Sequence, residues 1–149
     1  MEIPKLIKGG IAVDDRGMLS FINDFNFNNV KRFYQVNNFS TKIIRAFHGH
    51  RKEGKYVFVP NGSVLINTIP LNELEEKKAK AANINRFVLS SINPSILYIP
   101  KNYSHGFRAL EDNTSILFFS TSTLEDSKGD DIRHPFDILG KEIWETENR

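Results

Sequence analysis

Between Val30 and Ser120 the chain is a succession of short runs rich in β-branched and aromatic residues, each closed by Asn, Pro, Asp, Gly or Ser. Runs of this length suit strands rather than helices. Eight are predicted: Lys31–Phe39, Lys42–Phe47, Lys55–Val59, Ser63–Ile69, Arg86–Ser90, Ile96–Ile99, Gly106–Leu110 and Thr114–Ser120. Pro60-Asn61-Gly62 separates two of them, and its Asn-Gly pair tolerates the positive φ of a tight hairpin turn. So many short strands in so little chain point to an all-β sandwich or jelly roll, two sheets around an apolar interior open at one end.

One segment breaks the pattern. Leu71–Ala82 carries Glu73, Glu75 and Glu76 ahead of Lys77, Lys78 and Lys80, the spacing of an exposed helical excursion with paired side chains. The polar tail from Glu125 holds Phe136, Ile138, Leu139, Ile143 and Trp144, so it is expected to fold back on the body. With no linker or repeat in 149 residues, one domain spanning 1–149 is expected. The seven phenylalanines Phe21, Phe33, Phe47, Phe58, Phe107, Phe118 and Phe119 are assigned to its core.

The 20 basic and 18 acidic residues leave a net charge of +2 without a basic stripe, which argues against nucleic acid as partner. No apolar run approaches the roughly 20 residues of a membrane span, and the N-terminus has no apolar leader, so a cytoplasmic location is expected. Cysteine is absent, which removes thiol nucleophiles and thiolate ligands. Catalysis would fall to His, carboxylate, Lys or Tyr.

Arg45-Ala46-Phe47-His48-Gly49-His50 is the densest chemistry in the chain. Strict strand alternation puts His48 and His50 on one face, towards one cavity, and Arg45, Phe47 and Gly49 on the other. Such a pair is as often surface decoration as a site. Further on, Ile99-Pro100-Lys101-Asn102-Tyr103-Ser104-His105-Gly106-Phe107 supplies a second histidine-bearing strand.

Together with Asp15-Arg16-Gly17, these two segments resemble the cupin nucleotide-sugar enzymes typified by dTDP-4-dehydrorhamnose 3,5-epimerase, over roughly Val13 to Ser122. The resemblance implies a cupin jelly-roll barrel (a double-stranded β-helix), usually a homodimer. It also implies a nucleotide-sugar substrate with a 4-keto-6-deoxyhexose, and proton movement beside the ketone without a cofactor. His48 would be the general base, Lys55 the cation beside the keto oxygen, Arg16 and Arg45 the diphosphate ligands, and His105 a substrate-binding histidine. The chemistry of these groups agrees: an imidazole titrates close enough to neutrality to abstract such a proton, and an ammonium stabilises the enolate.

Two family features are missing. Thr123 or Leu124 stands where the family carries a tyrosine acid, so Tyr34, Tyr103 or His50 would have to donate a proton. The aspartate that orients the base has no counterpart in register, leaving Asp130, Asp131 or Asp137 as substitutes. The Phe-His-x-His pattern also resembles cupin 3,4-ketoisomerases, whose transfers can stay on one face of the ring. A metal-dependent cupin is a third reading, but Gly54 and Lys55 stand where an acidic ligand belongs, so no metal is expected. A non-catalytic sugar-binding cupin is the fourth.

Overall fold

A computed structural model describes residues 1–149. It has twelve strands: β1 Lys5–Lys8, β2 Gly10–Asp14, β3 Gly17–Phe21, β4 Arg32–Val36, β5 Ile44–His50, β6 Lys55–Asn61, β7 Ser63–Pro70, β8 Asn85–Ser90, β9 Ser95–Ile99, β10 Tyr103–Ala109, β11 Ser115–Ser120 and β12 Ile132–Arg133. Two five-stranded antiparallel sheets form, one in the order β1-β9-β6-β11-β4 and the other β12-β5-β10-β7-β8. They face each other as a jelly roll. All eight predicted strands are present.

The core between the sheets follows from alternation. Val57, Val59, Leu97, Ile99, Ile116 and Phe118 project inward from the first sheet against Val64, Ile66, Leu89, Tyr103 and Phe107 from the second. Val57, Val64 and Leu97 have no solvent exposure, and burial of such side chains contributes about 1.5–3 kcal/mol each. Towards one end the inward positions turn polar, and the barrel opens.

Several expectations change. The Asn61-Gly62 turn forms, with Gly62 at φ +85°, but it is no hairpin: β6 and β7 belong to different sheets, and the turn is the corner where the chain crosses between them. A side chain at Gly62 would meet Thr114, its Cβ falling 2.2 Å from Oγ1. The helical excursion shrinks to α1, Leu71–Glu75, plus a 3₁₀ turn at Ala81–Asn83, and α1 buries Leu71 and Leu74 rather than lying free. Four of the assigned core phenylalanines sit elsewhere. Phe33 is exposed, while Phe21, Phe58 and Phe119 join Phe25 and Phe27 on the outer face of the first sheet.

The tail folds back as expected and covers the outer face of the second sheet. Trp144 packs on Phe47 with ring centroids 5.5 Å apart, and its indole N–H donates to the Phe136 carbonyl. Arg86, Arg108 and Asn67 donate to the carbonyls of Ile143, Trp144 and Glu145 and strap the tail down.

Candidate active site

The open end of the barrel holds a cavity of about 360 Å³. Its walls are β5 and β10 on one side, β4 and β6 on the other. The mouth is formed by α2, Leu124–Ser127, and β12.

The wall at β5 depends on an irregularity. His48 pairs with His105 and Arg45 with Phe107, so two residues of β5, Ala46 and Phe47, oppose Gly106 alone. This extra residue is a β-bulge, and it brings Arg45 and His48 to the same cavity face. Strict alternation had put them on opposite faces. Phe47, expected on the Arg45 side, instead turns outward beneath Trp144. Gly106 is required here: a Cβ would lie 2.2 Å from that of Ala46 and 2.7 Å from the Trp144 ring.

His48 and His50 both face the cavity, as expected, and consecutive residues from one segment address them. The Asp131 carboxylate stands 3.5 Å from His48 Nδ1, which favours the proton on that nitrogen and leaves Nε2 with a lone pair able to accept one. The Asp130 carbonyl lies 2.5 Å from His50 Nδ1; a carbonyl only accepts, so that nitrogen carries the proton. Of the three substitutes expected for the missing aspartate, Asp131 is the one that approaches His48. Its delivery depends on β12 pairing with β5, Ile132 opposite Gly49 and Arg133 opposite His48.

Electrostatics keep the imidazoles neutral. Burial lowers the His48 pKa below its ordinary 6.5, Asp131 opposes the shift, and Arg133 and Lys55 reinforce it. His50 is lowered mainly by burial and then by Lys55. His105, fully enclosed, falls well below 6.5 for the same first reason. Burial tends to raise Asp131, but its bonds and charge interactions with Arg133 and His48 outweigh that and keep it ionised.

On the opposite wall Lys55 is nearly buried and donates from Nζ to the Tyr34 hydroxyl at 2.8 Å. Tyr34 stacks on Phe118, with 5.1 Å between ring centroids. Beneath them Glu53, 2 % exposed, accepts from Ser120 Oγ at 2.5 Å and Arg32 at 3.3 Å, and lies 3.9 Å from Lys55 Nζ. It offsets two cations that would otherwise be unpaired there. Neither Arg32 nor Glu53 was expected in this role, because no spacing signal ties them to His48.

Two expected site residues lie elsewhere. Tyr103 opens β10 rather than a loop and belongs to the core, outside the cavity lining. Arg16 sits at the exposed turn of the β2–β3 hairpin, bound to Asp14 and away from this chain's cavity. Leu124 lies at the mouth, while Thr123 caps α2.

His50, Glu53 and Asp130 offer one nitrogen and two carboxylates within 4.8 Å of one another. They do not fit a metal ion. His50 Nδ1 is protonated towards a carbonyl, Asp130 accepts the N–H groups of Arg51, Lys52 and Glu53, and the Lys55 ammonium stands beside Glu53.

Comparison with known proteins agrees with this architecture. The spore coat polysaccharide biosynthesis protein SpsL of Bacillus subtilis is 29% identical over all of this chain and 97% of its own length. Among solved structures, dTDP-4-dehydrorhamnose 3,5-epimerase from Bacillus anthracis superposes with a TM-score of 0.74 at 19% identity, covering 97% of this chain and 86% of that one. A point mutant of the 3,4-ketoisomerase QdtA of Thermoanaerobacterium thermosaccharolyticum, in complex with TDP-4-keto-6-deoxyglucose, gives 0.69 at 21% identity, covering 90% of this chain and 89% of that one. Residues 5–139 match the dTDP-4-dehydrorhamnose 3,5-epimerase family, and the chain belongs to it.

Proposed function

We propose that this protein epimerises a nucleoside-diphosphate 4-keto-6-deoxyhexose by proton transfer beside the ketone. The observation that carries the reading is the pairing across one cavity of a neutral, carboxylate-backed imidazole at His48 with an ammonium–phenol pair at Lys55 and Tyr34.

In this mechanism His48 Nε2 removes a proton from the carbon next to the ketone, and Asp131 stabilises the imidazolium that forms. Negative charge gathers on the former keto oxygen, where Lys55 donates. Tyr34, on the facing sheet, delivers a proton to the opposite side of the ring in place of the family's tyrosine, whose position Thr123 or Leu124 occupies. His48 then loses its proton to solvent and the Tyr34 phenolate regains one, so each turnover carries solvent hydrogen into the sugar. Arg45 at the mouth suits the diphosphate.

A 3,4-ketoisomerase is the second reading, favoured by the placement of His48 and His50 on one wall, which serves transfers on a single face. Incubation with dTDP-4-keto-6-deoxyglucose in deuterium oxide, followed by proton NMR, separates the two. Exchange with inversion at carbon 3 or 5 supports epimerisation; a product with the ketone at carbon 3 supports migration; no exchange refutes both.

We further propose a homodimer in the cytoplasm. The β2–β3 hairpin stands apart from both sheets and exposes Val13, Met18 and Leu19. Against a second copy it would bury these and bring Arg16 to the neighbouring cavity, which reconciles its expected diphosphate role with its distance from its own.

A further inference from the structure

Arg133 is a cation for which the reaction above has no use. Its strand position opposite His48 aims it along the cavity face, and it lines the mouth. Yet its Nε donates to Asp131 Oδ2 at 2.8 Å, while Asp131 Oδ1 is 3.5 Å from His48 Nδ1. One carboxylate is thus shared between two partners, with the better geometry on the guanidinium. Arg133 is 71 % exposed and free to reach outward, whereas His48 is fixed in β5.

We propose that Arg133 is a positioning residue that couples diphosphate binding to the base: in the empty pocket it holds Asp131, and an arriving diphosphate draws the guanidinium away and leaves Asp131 to His48. The coupling rests on the nucleotide-sugar reading. It follows from the fork geometry of arginine, which matches phosphate oxygens as well as carboxylate. The charged and titratable groups around His48 are Arg133 from β12, Asp131 just before that strand, Lys55 from β6, His105 from β10, and Arg45 and His50 along its own strand. Arg45 and Arg133 both stand at the mouth, but Arg45 donates to Asn38, and Arg133 alone of these cations is bonded to Asp131. The device would keep the base weak until substrate arrives.

The test is a histidine NMR titration of the full-length protein, with and without dTDP as probe. His48 is assigned among the four histidines by its absence from the His48→Asn spectrum. In the wild type dTDP should raise the His48 midpoint by about half a pH unit or more. In Arg133→Gln the free protein should already titrate higher, and the response to dTDP should shrink at least about twofold. Arg133→Lys, which keeps the charge but not the fork, should keep the low free midpoint. Binding of dTDP with equal His48 responses in wild type and Arg133→Gln overturns the coupling and leaves the nucleotide-sugar reading standing. Failure of dTDP to bind the wild type overturns both.

Discussion

Asp131 reaches His48 through the pairing of a two-residue strand, β12, with the edge of β5, so a carboxylate distant in sequence stands 3.5 Å from the imidazole. Removing the charge should separate orientation from basicity. In Asp131→Asn the His48 midpoint falls further, because the group that raises it is gone. The acid limb of kcat/KM should then move to lower pH while the plateau drops about tenfold or more. A pH–rate profile of solvent exchange checks both effects.

His48→Ala should abolish deuterium exchange at the sugar ring, a loss of at least about 10²–10⁴-fold. dTDP binding should persist, because Arg45 is untouched. Undiminished exchange would remove His48 from the mechanism.

Tyr34→Phe keeps the stacking on Phe118 and loses only the hydroxyl that accepts from Lys55. Exchange at the acidic carbon should continue while net inversion falls by about 10²-fold or more. NMR that follows deuterium uptake and product configuration in one sample distinguishes the steps. Inversion at the wild-type rate would assign the donor elsewhere.

Much of this arrangement is legible in the sequence, and the gaps have physical causes. The eight strands from Val30 to Ser120 announce themselves because each has one buried face. β2 and β3 do not: they pair only with each other and are largely exposed, so alternation carries no signal. The His-x-His face follows from spacing and Lys55 from the family resemblance, whereas the joint placement of Arg45 and His48 needs a bulge that no composition betrays. Asp130, Asp131 and Asp137 are equal candidates until β12 finds its register. The Asn61-Gly62 turn is readable as a turn but not as a corner, since partner choice lies in distant strands.

Burial also makes stability depend on pH. His48, His50 and His105 all have folded pKa values below the 6.5 of the unfolded chain. The unfolded state therefore binds more protons just below that pH. Stability should be full above about pH 6.5 and decline as pH falls through the folded values. Melting temperatures between pH 8 and 5 test this, and His105→Asn should flatten the curve.

Trp144→Ala should cost about 3–5 kcal/mol, because the indole is buried on Phe47 and braces the back of the β5 bulge. Exchange per folded molecule should fall too, if loosened β5 no longer holds His48. Thermal melting and activity at matched folded fraction separate the contributions.

The dependence of β5 on the segment beyond Ser120 has a bearing on biosynthesis. The strands up to β11 are synthesised before both the carboxylate behind His48 and the indole behind the bulge. A chain halted at the end of β11 would therefore carry His48 without the carboxylate that addresses its Nδ1.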